Sequence, residues 1–123
     1  MKWVAVLAIL AQPVAAQDMA DAPGGMLRVL DKLSGVVEDI DMARGQSAVI
    51  GRLTLLLDAC RYPADNPASD AMVHLTINDS AATTPAFSGW MVASSPALSA
   101  LDHPRYDVWV LRCDYPQAPA VDE

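Results

Sequence analysis

A chain of 123 residues with 15 acids, eight bases and a net charge of −7 has material for one small domain and no more. The acidity excludes the basic footprint of a nucleic-acid binder and argues against docking on anionic lipid head groups through charge. Apolar residues make up 53% of the chain, which excludes a compositionally disordered polypeptide.

The first sixteen residues read as a secretory signal peptide. Lys2 supplies the positive start, Trp3 to Ala11 are apolar without interruption, and Gln12-Pro13 break the run. Val14-Ala15-Ala16 then place small residues where a signal peptidase cuts, after Ala16. The apolar run is about half of what a bilayer-spanning helix requires. No cysteine follows it to take a lipid. The expectation is a soluble, exported protein with no transmembrane anchor after cleavage. Residues 17–25, rich in Ala, Asp, Pro and Gly, read as a flexible linker. Residues 26–115 form the domain, and 116–123 an acidic Pro/Ala-rich tail. Between Met26 and Cys113 ten acids stand against seven bases, so the two ends carry most of the excess charge.

Within the domain, 27–32 reads as a strand, Ser34-Gly35 as a turn and 36–42 as its hairpin partner. Met26, Val29, Leu30 and Leu33 also fit a 3.6-residue period and one amphipathic helix. The hairpin is preferred because a β-branched run follows a good turn. Arg44-Gly45 makes the next turn, and 47–50 and 53–62 are strands separated by Gly51-Arg52. Residues 63–69, with two prolines and Asx side chains, form a loop. In 71–78, Val73, Leu75 and Ile77 share one face, while Met72, His74 and Thr76 share the other. Residues 78–85 are a polar turn region and 86–93 another strand. Ser95 as N-cap with Pro96 at the first helical position predicts one short helix near residues 95–102. Residues 106–115 form the last strand, with Trp109, Leu111 and Cys113 aligned on one face. Frequent short strands and one small helix define an all-β domain, a small antiparallel sandwich or partly closed barrel.

Cys60 and Cys113 are the two cysteines of an exported chain, and an oxidising compartment makes them a disulfide. Their separation in sequence and the absence of C-x-x-C argue against a redox or metal pair. Both begin a Cys-x-Tyr-Pro tetrapeptide, Cys60-Arg61-Tyr62-Pro63 and Cys113-Asp114-Tyr115-Pro116. Each tyrosine falls on the cysteine's side of the pleat, placed to cover the bond.

The segments 31–35 (Asp-Lys-Leu-Ser-Gly), 59–67 (Ala-Cys-Arg-Tyr-Pro-Ala-Asp-Asn-Pro), 87–101 and 103–113 together resemble an alphaproteobacterial family, domain of unknown function 2155. The likeness covers roughly 27–113, and the stretch from Phe87 to Cys113 is its most specific part. The resemblance implies a small, exported domain of the Gram-negative periplasm. It implies no activity and supplies no catalytic residue.

Candidate sites are few. Ser94, Ser95, His103 and Asp107 contain the residue types of a nucleophile, a base and an orienting acid, but no G-x-S-x-G elbow presents the serine, so no catalytic residue and no enzyme are predicted. His74 and His103 are too few for a zinc site unless carboxylates join them, and a solvated strand position is the favoured reading of His74. Asp65, Asn66 and Asp70 offer oxygen donors without the spacing of a calcium loop and read as loop caps. Glu38, Asp39 and Asp41 read as a solvated strand face that discourages edge-to-edge aggregation. No metal or other cofactor is expected. Trp109 reads as core. Trp90, Met91, Arg105 and Tyr106 are read as a partner-binding surface, because 86–93 carries bulk on both faces and Arg, Tyr and Trp are enriched at interface hot spots. The function expected is therefore a non-enzymatic interaction module that binds another cell-envelope protein. The competing readings are a carrier of a lipid or other small apolar ligand, and a protease inhibitor using the 63–69 loop as a wedge.

Overall fold

The apolar alternations become strands, and the turn glycines separate them. The computed structural model describes residues 2–5, 8 and 18–115. In chain order these hold β1 (Met19–Asp21), β2 (Gly24–Asp31), β3 (Val37–Ala43), β4 (Ser47–Ile50), β5 (Leu53–Pro63), β6 (Met72–Asp79), β7 (Phe87–Val92) and β8 (Tyr106–Cys113). The cleavage point after Ala16 and the 116–123 tail lie outside the described residues, and the described positions of the leader carry neither helix nor strand. Among the described residues no helix is long and apolar enough to cross a membrane.

All pairings are antiparallel and fall into two sheets. The larger runs β1-β5-β6-β7, with β4 sharing β5's outer edge with β1, and the smaller runs β3-β2-β8. The turns expected around Gly35, Gly45 and Gly51 form there, each glycine at positive φ. Leu27 and Val29 lie in β2, which settles 26–31 as strand and not helix, with Lys32 and Leu33 in the turn that follows. Leu53, Leu55, Leu57, Val73, Leu75, Ile77 and Met91 point inward from the larger sheet. Leu27, Val29, Met42, Tyr106, Val108 and Val110 meet them from the smaller. The result is a two-layer sandwich without a closed barrel.

β5 and β8 each carry a β-bulge two residues before their cysteine. Asp58 stands unpaired between Leu57 and Ala59 in the β5–β6 ladder, and Leu111 between Val110 and Arg112 in the β8–β2 ladder. One extra residue reverses the inward–outward phase. Leu53, Leu55 and Leu57 are therefore buried at odd positions, while Cys60 and Tyr62 are buried at even ones. The reversal brings Cys60 and Cys113 together in a disulfide, with Cα atoms 5.7 Å apart, and the bond joins the two sheets. Tyr62 and Tyr115 meet beside it, ring centroids 5.7 Å apart. Gly25 lies against the bond, where a Cβ would stand 2.8 Å from Cys60 Sγ, so β2 reaches this position only as glycine.

Three expectations change. Of the linker expected over 17–25, the described residues 18–25 are not merely a linker: β1 pairs with the end of β5, Ala22 N–H donates to the Cys60 carbonyl (2.8 Å), and Gly24-Gly25 open β2. The exposed polar composition concealed backbone pairing. The short helix near residues 95–102 does not form. Ser95 N–H donates to Val92 O and Leu98 N–H to Ser95 O, two turns, after which Leu101 and His103 enter the core. Two buried anchors so close together hold the connection extended and override the helix-start signal. Trp109 does not share a face with Cys113, because the Leu111 bulge lies between them. Val108 and Val110 fill the core, and Trp109 is only half-buried.

Candidate functional site

The outer face of the larger sheet has no layer over it among the described residues. Ordinary alternation places polar side chains on such a face. Here Leu56, Met72, Trp90 and Val92, all half-buried, interrupt the polar set. Trp90 on β7 is the cross-strand partner of His74 on β6. The His74 ring meets the indole edge-on, with centroids 5.2 Å apart, and the Arg61 guanidinium from β5 lies 5.5 Å from the indole centroid. His74 Nδ1 is 2.8 Å from Asp58 Oδ2, and Thr76 Oγ1 donates to the same oxygen at 2.9 Å. Arg61 also pairs with Asp21 of β1 at 3.0 Å. The bulge in β5 turns Asp58 onto this face, so the device that aims the cysteines also fixes the His74 ring.

Sequence reasoning missed Asp58, and it placed Thr76 on the face of His74 without giving it a role. A signal existed: the buried positions change from odd to even between Leu57 and Cys60, which requires an extra residue near Asp58.

A second polar cluster fills the opposite end of β5 and β8. His103 Nε2 lies 2.8 Å from Asp79 Oδ2. The main-chain N–H groups of Arg105 (3.0 Å) and Tyr106 (3.2 Å) both donate to His103 Nδ1. Nδ1 is therefore an acceptor, and the proton sits on Nε2, donated to Asp79. Asp79 also accepts from Arg52 Nη2 at 3.1 Å and, through Oδ1, from Ala81 N–H at 2.9 Å. The hydrogen bond from His103, then that from Ala81, lowers the Asp79 carboxyl to about 2. Asp79 carried no sequence signal, since it falls where β6 meets a polar turn.

The four residues expected to bind a partner are not brought together. Tyr106, 1% exposed, and Met91, 2% exposed, are core. β7 has one inward face, which takes Met91, and Tyr106 opens β8 on its inward side. Arg105 stacks 5.2 Å from the Tyr106 ring and pairs with Asp31 (3.0 Å), at the smaller sheet. Its hydrogen bonds hold Asp31 down to about 2. Only Trp90 stands on the outer face of the larger sheet.

The serine–histidine set is not assembled either. Ser94 Oγ donates to Asp70 (2.7 Å), His103 bonds Asp79, and Asp107 lies 3.5 Å from Lys32 Nζ. His74 and His103 belong to different clusters and share no ligand set. Asp70 caps the loop as expected, receiving the N–H groups of Ala71 (2.8 Å) and Ser94 (3.0 Å). Burial acts to raise its carboxyl, and these donors with the Ser94 hydroxyl hold it below its usual value. Asp39 forms a bidentate pair with Arg28 across the ladder, at 2.7 and 2.9 Å. Glu38 and Asp41 stay exposed beside it on β3.

Fold and face together define a disulfide-stapled, all-β sandwich domain with an aromatic and basic cluster on an open sheet. The chain belongs to the family of uncharacterized proteins conserved in bacteria, domain of unknown function 2155, whose family model matches residues 25–113. It is 29% identical over 92 residues to the "Uncharacterized protein RP359" of Rickettsia prowazekii (strain Madrid E). That match takes in 72% of this chain and 59% of the rickettsial protein, so the chain spans less than two thirds of that relative. No solved structure matches.

Proposed function

We propose that this chain is a non-catalytic interaction domain of the bacterial periplasm, which binds another cell-envelope protein through the outer face of its larger sheet. The observation that carries the reading is Trp90, half-buried on an uncovered face and held between the Arg61 guanidinium and the His74 ring. Tryptophan and arginine side chains fixed in advance lose little freedom on association and are the residue types that dominate interface energetics. The neighbouring hydroxyl, Thr76, donates to the same carboxylate that orients His74, an arrangement that fixes a surface and does not activate a nucleophile.

Export is supported by the leader-like residues 1–16 and by the buried Cys60–Cys113 bond, of a kind that persists in oxidising compartments. A carrier role is less well supported. The clefts described are surface clefts of about 260 to 300 Å³, at the lower end for a ligand site.

The test is a photo-crosslinking side chain placed at Met72, on the same face, in the living bacterium. The expected result is a discrete heavier adduct in the periplasmic fraction that disappears with Trp90→Ala while the protein stays folded and oxidised. A protein retained in the cytosol with free thiols, or an adduct indifferent to Trp90, overturns the reading.

A further inference from the structure

We infer that β7 is a pairing edge at which two copies of this chain join their larger sheets into one. The inference stands apart from the binding reading of the sheet face, since it concerns the backbone edge. β7 ends the strand order and pairs with β6 alone among the described residues. An open edge offers alternating N–H and C=O groups that another extended backbone can pair along its length, and proteins ordinarily guard it with charge or brevity.

The other edges of this molecule are guarded. β3 carries Glu38, Asp39 and Asp41, β8 carries Asp107 and Arg112, and β1 and β4 have three and four residues. β7 has six residues and no charged guard: from Ser80 to Leu101 the chain contains no acid, base or histidine. In a chain of net charge −7, this is the one long edge strand among the described residues with no charged side chain on it. Leu98, 80% exposed, adds apolar surface from the same uncharged stretch.

Gly89 points to the register. Its own fold does not demand glycine: φ is not positive, and a Cβ would meet only the Phe87 ring, at an ordinary 3.7 Å. A glycine inside a strand marks a bulge, a bend or the close approach of a ligand or another backbone, and the β6–β7 ladder has no bulge at Gly89. An antiparallel pair centred on Gly89 sets Ser88 opposite Trp90 of the second copy on the outer face, small against large. On the inner face it sets Phe87 opposite Met91. Such a two-fold contact is self-complementary and closed, so it stops at the dimer.

The test is sedimentation equilibrium on the purified oxidised protein at micromolar concentration, with two variants whose fold is checked by circular dichroism. The expected results are a dimer for the parent, self-association weakened about tenfold or more toward monomer in Ser88→Lys with an unchanged melting temperature, and a symmetric intermolecular disulfide in Gly89→Cys. A parent that stays monomeric, a dimer indifferent to Ser88→Lys, or a Gly89→Cys protein that does not crosslink to itself overturns the inference.

Discussion

His103 donates its Nε2 proton to Asp79 while its Nδ1 receives the main-chain N–H groups of Arg105 and Tyr106, so one imidazole ties the end of β6 to the start of β8. The connection between β7 and β8 is pinned to the larger sheet by this ring. Its removal leaves two main-chain donors and a carboxylate without their partner. His103→Ala is expected to lower stability by about 2 to 3 kcal/mol in urea titration, because buried polar groups stripped of a partner lose their bonds without regaining water. His103→Asn, which keeps a polar acceptor, recovers part of that loss.

Two carboxylates set the acid limit. Asp79, bonded by His103, and Asp31, bonded by Arg105, both titrate at about 2 in the folded protein. Unfolded aspartates titrate near 4. A folded-state value below the unfolded one means that the stabilisation is fully present above about pH 4 and is lost as pH falls through 2. The parent should therefore lose stability steeply between those limits. Asp79→Asn and Asp31→Asn should each flatten the slope there while leaving the neutral-pH dependence unchanged, as followed by denaturant midpoints across pH.

The bond between Cys60 and Cys113 spans 53 residues. Closing a loop of that length restricts the unfolded chain by about 4 kcal/mol in the entropy model. The double variant Cys60→Ala, Cys113→Ala should lose stability of that order in urea titration. Both sulfurs are buried, so reduction of the parent requires opening of the fold. Thiol trapping should show reduction that accelerates with denaturant and stays slow under native conditions.

Gly51 combines a φ of 56° with direct contact between its vacant side-chain position and the Tyr106 hydroxyl. The same hydroxyl oxygen faces Arg52 N–H at 3.4 Å. Gly51→Ala should cost about 1 to 3 kcal/mol from left-handed backbone strain and the collision. Tyr106→Phe removes the colliding oxygen, so the double variant should lose less than the sum of the two single changes. A double-mutant cycle on thermal or urea unfolding measures that coupling.

The sequence alone determined a good deal of this protein. Local chemistry writes itself into local patterns, so the alternation of Val73, Leu75 and Ile77 and the turns at Gly35, Gly45 and Gly51 were legible, and with them the all-β class. The pairing of Cys60 with Cys113 followed from their being the only two, and the resemblance to the family rested on contiguous segments. What the tertiary structure decided were matters of phase and of distant company. The bulges at Asp58 and Leu111 reverse which residues face inward, so Trp109 turns away from the side that takes Cys113, and Asp58 reaches His74. A strict two-residue period cannot register an extra residue until a partner strand shows what it faces. Trp90 and Met91 part by simple alternation along β7, whereas Arg105 and Tyr106 lie far from Trp90 because β8 joins the other sheet, an assignment that no single strand contains.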